Sequence, residues 1–87
     1  MKTKVIFRKY PEGDIIALFP EVDEGGGNIS TYMHMGQHAR ASYRGVVSST
    51  KLAKPSEYAS LKYELERAPY RYDLKVVKRA TRARRSR

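Results

Sequence analysis

Short apolar runs stopped by proline and glycine constrain this chain more than any other feature. Val5-Ile6-Phe7 gives way to Tyr10-Pro11-Glu12-Gly13, Ile15-Ile16-Ala17-Leu18-Phe19 stops at Pro20, and Gly25-Gly26-Gly27 stands ahead of the run from Ile29. Such brief runs, rich in β-branched and aromatic residues, suit strands better than helices. Pro11 presets the first central φ of a turn and Gly13 tolerates its exit, so the first two runs predict a hairpin. The second run is apolar on both parities, as in a strand covered on both faces or central in a sheet. Glu21 to Asn28 combines Glu21, Asp23 and Glu24 with the three glycines and reads as a mobile acidic loop.

From Ile29 to Met35 the pattern alternates, with Ile29, Thr31, Met33 and Met35 on a core face and Ser30, Tyr32 and His34 on the other. Gly36 to Thr50 offers at most a short fourth strand around Gly45. A helix follows: Pro55 suits a first helical position, Tyr58, Leu61, Leu65 and Ala68 recur at helical spacing, and Pro69 forbids continuation. Lys54 is a poor N-cap, which leaves Ser56 as an alternative. Tyr72 to Val77 predicts a last strand. The expected class is α+β, an antiparallel or mixed sheet of roughly three to five strands with one helix packed on one face. The other face would be solvated, paired with another molecule or covered by the middle segment, and its residues would include Lys4, Ile6, Arg8, Tyr32, His34 and Lys75.

Charge divides the chain unevenly. The net charge is +9, and Lys78, Arg79, Arg82, Arg84, Arg85 and Arg87 supply six positive charges within the last ten residues; removing six from +9 leaves +3 for everything before them. Residues 1–77 therefore read as a single small α+β domain and 78–87 as a basic, disordered tail that offers no apolar face to offset its ordering entropy. With no cysteine, disulfides, thiol chemistry and cysteine-ligated zinc are excluded. The amino-terminal apolar run is too short for a signal peptide and no stretch is long enough to span a membrane, so a cytoplasmic protein with no membrane partner is expected. A domain of this size has little room for a deep catalytic cleft.

The stretches Val5-Ile6-Phe7-Arg8, Asp14 to Glu21, Tyr32-Met33-His34-Met35-Gly36-Gln37-His38 and Pro55 to Lys62 together resemble a small family of uncharacterised proteins from bacteria and mobile elements. The resemblance covers most of Val5 to Val77. It implies a bacterial origin and a folded unit that does not need the tail. The family carries no assigned activity, ligand or catalytic residue, so the resemblance transfers no function.

Candidate chemistry is sparse. His34 and His38 would share a helix face as metal ligands, but in a strand they lie ~13 Å apart, too far for one ion unless the chain turns at Gly36. Ordinary hydrogen-bonded histidines, no metal and no cofactor are the expectation. No nucleophile elbow or ordered triad accompanies them. The triple glycine lacks the lysine and following helix of a phosphate cradle, and three carboxylates precede it. The expected function is a non-enzymatic accessory protein that binds RNA or DNA without strong sequence preference. Lys78, Arg79, Arg82, Arg84, Arg85 and Arg87 would contact phosphates, Arg71 and Lys75 would extend the surface, and Tyr32 would stack bases on an open sheet face. The alternative is a protein-interaction module or homodimer that uses an uncovered sheet face or edge strand, with a merely solubilising tail. No small-molecule substrate is indicated.

Overall fold

The computed structural model describes residues 2–33, 37–67 and 70–79, and the hairpin predicted at Pro11 forms. Strands β1 (Thr3–Lys9) and β2 (Ile15–Gly25) pair antiparallel, with Ile6 opposite Leu18 and Lys9 opposite Ile15. The Tyr10 N–H donates to the Asp14 carbonyl at 2.8 Å, and Gly13, at φ 108°, donates to the Tyr10 carbonyl at 2.9 Å. Strands β3 (Asn28–Met33) and β4 (Gln37–Ser42) continue the antiparallel meander. The remaining edge of β1 is shared: β5 (Lys51–Leu52) pairs antiparallel with Arg8 and Lys9, while β6 (Leu74–Val76) pairs parallel with Thr3 to Val5. Among the described residues the result is a mixed six-stranded sheet, ordered β4-β3-β2-β1-β5 with β6 beside β1, larger than the expected range.

Two helices pack on the sheet among the described residues. Helix α2 (Pro55–Glu66) is the predicted one, and it begins with Lys54 at the N-cap rather than Ser56. Glu57 replaces the missing cap side chain: its carboxylate accepts the Lys54 N–H at 2.8 Å, while its own N–H donates to the Lys54 carbonyl at 2.8 Å. Helix α1 (Tyr43–Ser49) stands where a fourth strand around Gly45 was expected, and the fourth strand lies before it as β4. The signal for α1 is Ser42, whose hydroxyl accepts the Gly45 N–H at 3.2 Å and starts the helix.

The helices lie on opposite faces, so of the three alternatives for the second face the one found is coverage by the middle segment, through α1. Val5, Phe7, Ala17, Phe19, Tyr32, Leu61, Leu65 and Leu74 form one core cluster beneath α2. Ile6, Ile16, Leu18, Ile29 and Val46 form the second, beneath α1. This explains why the Ile15 to Phe19 run is apolar on both parities. Burying Leu61 and Leu65 contributes ~1.5 to 3 kcal/mol apiece to holding α2. Helix α1 buries only Val46 and depends on polar ties from β1. The Arg8 guanidinium donates to the Thr50 hydroxyl at 2.7 Å and to the Thr50 and Val47 carbonyls at 2.7 and 3.2 Å, closing the carboxyl end of the helix.

Two further expectations change. Glu21 to Gly25 is the outer part of β2 rather than a loop, and the reversal is confined to a tight turn in which Gly25, Gly26 and Gly27 all adopt positive φ. Pairing between Phe19 and Gly25 passes through two register shifts, the irregularity that the acidic residues occupy. Residues 70–73, ahead of β6, pack across the sheet as a strap: Tyr70 meets Tyr32 of β3 and His38 of β4, Tyr72 stacks on Phe19 of β2, and Leu74 joins β1. Arg71 and Asp73 project outward between them and are exposed. No helix among the described residues is long and apolar enough to cross a membrane.

Candidate nucleic-acid interface

The basic segment leaves the fold at a fixed point. The Val77 N–H donates to the Val5 carbonyl at 2.9 Å, extending the β6 ladder by one bond, and Lys78 and Arg79 follow as exposed residues. Arg82, Arg84, Arg85 and Arg87 lie outside the described residues. Near the exit, β5, β6 and the start of α2 frame a shallow apolar groove of about 140 Å³ over the Phe7 and Tyr58 rings, with Lys78 at its rim.

Most carboxylates of the folded part already hold a cation or a hydroxyl. Lys2 pairs with Asp73 at 3.0 Å, Lys4 with Glu21 at 3.3 Å, Lys9 with Glu57 at 2.6 Å and Lys62 with Glu66 at 2.7 Å. Tyr32 donates to Glu64. The backbone bond from Lys54, with Lys9 beside it, holds the Glu57 carboxyl below its ordinary pKa. By contrast, Arg40, Arg71, Lys75, Lys78 and Arg79 are exposed and make no ion pair with a carboxylate among the described residues. These cations are available to an external anion. Lys75 sits beside Lys4 in the parallel pairing of β6 with β1, so two like charges adjoin and only Lys4 is neutralised.

Tyr32 does not belong to this surface. Its relative exposure is 0%, α2 and Tyr70 cover it, and its hydroxyl is bound to Glu64, so it cannot stack a base. The assignment of Tyr32 as a nucleic-acid contact is therefore corrected. The reason is register: Ile6 is opposite Leu18 and Leu18 opposite Thr31, which puts Thr31 and not Tyr32 on the face of Ile6. Lys4, Ile6, Arg8 and Lys75 do share that face, with Ile6 buried and Arg8 committed to α1.

Aromatic surface exists elsewhere. His38, on the outermost strand, has its ring centroid 4.7 Å from Tyr32 and 5.2 Å from Tyr70, and Tyr70 lies 6.3 Å from the nearly parallel ring of Tyr72. His38 is exposed, whereas Tyr70 and Tyr72 are half-buried. The signal available in sequence was the alternation Tyr70, Tyr72, Leu74, which continues the inward parity of β6 back through the strap.

Other chemistry finds little support in the geometry. His34 lies outside the described residues, and among the described residues no group of three or more histidine, cysteine, aspartate or glutamate side chains is placed to hold a metal. A hollow of about 350 Å³ is lined by Lys9, Pro11, Ser48, Ser49, Thr50 and Lys51. Its hydroxyl hydrogens are spent on the α1 backbone: Ser48 and Ser49 each donate to the Gly45 carbonyl at 2.9 Å and Thr50 donates to the Val46 carbonyl at 2.7 Å. The glycine turn is a hairpin end and not a phosphate cradle, because no helix follows it. No family model matches the chain, and neither a curated protein nor a solved structure matches it.

Proposed function

We propose that this protein is a non-enzymatic nucleic-acid-binding module whose basic carboxyl-terminal segment contacts phosphates. The observation that carries the reading is the contrast in charge pairing. Lys2, Lys4, Lys9 and Lys62 meet internal carboxylates, whereas Lys78 and Arg79 emerge exposed and open a run in which Arg82, Arg84, Arg85 and Arg87 follow without any acid. Six closely spaced cations attract a polyanion by counterion release, a contribution that does not depend on base sequence. The folded part then fixes where that segment begins, beside β1. Fluorescence anisotropy with labelled duplex DNA, single-stranded DNA and RNA tests the proposal. Binding to any of them, lost on replacing Arg82, Arg84, Arg85 and Arg87 together by alanine, is the expected result.

A second reading draws on β4. Among the described residues its outer edge has no neighbouring strand, and its six residues, Gln37-His38-Ala39-Arg40-Ala41-Ser42, include no proline to block strand addition. An edge of this kind favours pairing with a second copy or an extended segment of another protein. Analytical ultracentrifugation separates the readings, since self-association through β4 would survive the tail replacements.

A further inference from the structure

We propose that His38, Tyr70 and Tyr72, flanked by Arg40 and Arg71, form a platform that stacks the bases of single-stranded nucleic acid. This deepens the nucleic-acid reading and rests on it. The tail supplies attraction to any phosphate chain, whereas a ring platform discriminates strands whose bases are unpaired and free to stack.

Three features of the fold place the platform. His38 is exposed on β4, the outer strand of the sheet among the described residues, so its ring lies at the margin of the face that α2 covers. Arg40 stands two residues along the same strand, and the antiparallel pairs Tyr32 with His38 and Ser30 with Arg40 put both side chains on the strap's face. Tyr70 and Tyr72 are supplied by the strap, and their rings lie within 10° of parallel, which gives two aromatic faces of one orientation.

The backbone at Arg71 sets this arrangement. Among the described residues Arg71 is the non-glycine residue with positive φ, 55°, a left-handed conformation that an arginine rarely adopts. Its N–H donates to the Arg67 carbonyl at 2.8 Å and the following Tyr72 N–H donates to the Leu65 carbonyl at 3.0 Å, so the end of α2 holds the turn. The strained residue is thereby fixed between the two tyrosines with its own side chain exposed.

Local electrostatics favour a polyanion. Arg40 and Arg71 make no ion pair among the described residues, while Asp73 is paired with Lys2 and Glu64 is turned to the Tyr32 hydroxyl beneath the face. The rings below the surface, Tyr32 and Phe19, are buried and brace exposed His38 and half-buried Tyr70 and Tyr72 through edge and stacked contacts. The platform is rigid in its floor and open at its rim, which lowers the ordering cost of binding.

The test uses the full chain and four oligonucleotides of equal length: oligo-dT, oligo-rU, an abasic strand and a duplex. The platform predicts that oligo-dT or oligo-rU binds on the order of tenfold more tightly than the abasic strand. His38→Ala with Tyr70→Leu should abolish that ratio, and His38→Ala alone, at an exposed position, should reduce it even if the Tyr70 change disturbs folding. Replacing Arg82, Arg84, Arg85 and Arg87 by alanine should weaken every oligonucleotide while preserving the ratio. Equal binding of the abasic and base-bearing strands by the unaltered protein overturns the platform and leaves the phosphate reading standing. No binding of any oligonucleotide at low salt removes both.

Discussion

Tyr32 of β3 donates its phenolic hydrogen to the carboxylate of Glu64 on α2, joining the middle of the sheet to the helix that covers it. The ring contributes packing against Tyr70 and His38, and the hydroxyl adds a charge-assisted bond in a site that water scarcely reaches. Tyr32→Phe keeps the ring and removes only that bond. Thermal or denaturant unfolding should show a loss of ~1 to 2 kcal/mol, while affinity for oligonucleotides stays unchanged. A fall in affinity at unaltered stability would return Tyr32 to the binding surface.

Arg8 closes helix α1 with three hydrogen bonds to Thr50 and Val47. A seven-residue helix with one buried side chain is too short to persist by itself, so the guanidinium decides its stability. Arg8→Ala should cost ~2 kcal/mol, measured by denaturant unfolding, and hydrogen exchange should rise first in residues 43–49. Arg8→Lys should recover only part of the loss, because an ammonium cannot reproduce the planar fork that reaches several acceptors at once.

Glu57 gives the acid limb of stability a specific origin. Its carboxyl is held below the ordinary value of 4.5, first by the Lys54 N–H and then by Lys9. A depressed folded-state pKa contributes stability that is fully present above 4.5 and lost as pH falls through the folded value. Glu57→Gln should therefore be less stable than the unaltered protein at neutral pH, with the difference shrinking as pH drops below 4.5. Unfolding midpoints recorded across that range check the sign. A gap that stays constant down to the acid end would assign the effect to packing instead of ionisation.

Several strands and the second helix were legible because proline and glycine punctuate them sharply: Pro11 with Gly13 and Pro55 mark boundaries that the structure keeps, whereas β2 runs on through Pro20 to Gly25. Helix α1 was not, because its signal is a single serine cap, Ser42, followed by Val46 and Val47, residues that favour strands in isolation. Tertiary contact with Ile6 and Leu18 and the reach of Arg8 override that preference. Tyr32 was misplaced for a different reason. Alternation within β3 separates its two faces correctly, but which face joins which core depends on register with β2, and the register shifts after Phe19 have no mark in the sequence beyond the glycines. Of the candidate interface, the basic run could be read directly from composition. The grouping of His38 with Tyr70 and Tyr72 could not, since it brings together β4 and the strap across a wide gap in the chain.

The salt dependence of binding tests the central claim most directly. If Lys78, Arg79, Arg82, Arg84, Arg85 and Arg87 all engage duplex phosphates, log K against log salt should fall with a slope near about −5, and replacing Arg82, Arg84, Arg85 and Arg87 by alanine should reduce the slope to about −2 at unchanged melting temperature. A slope that stays the same in the replaced protein, or no binding even at low salt, would contradict the account.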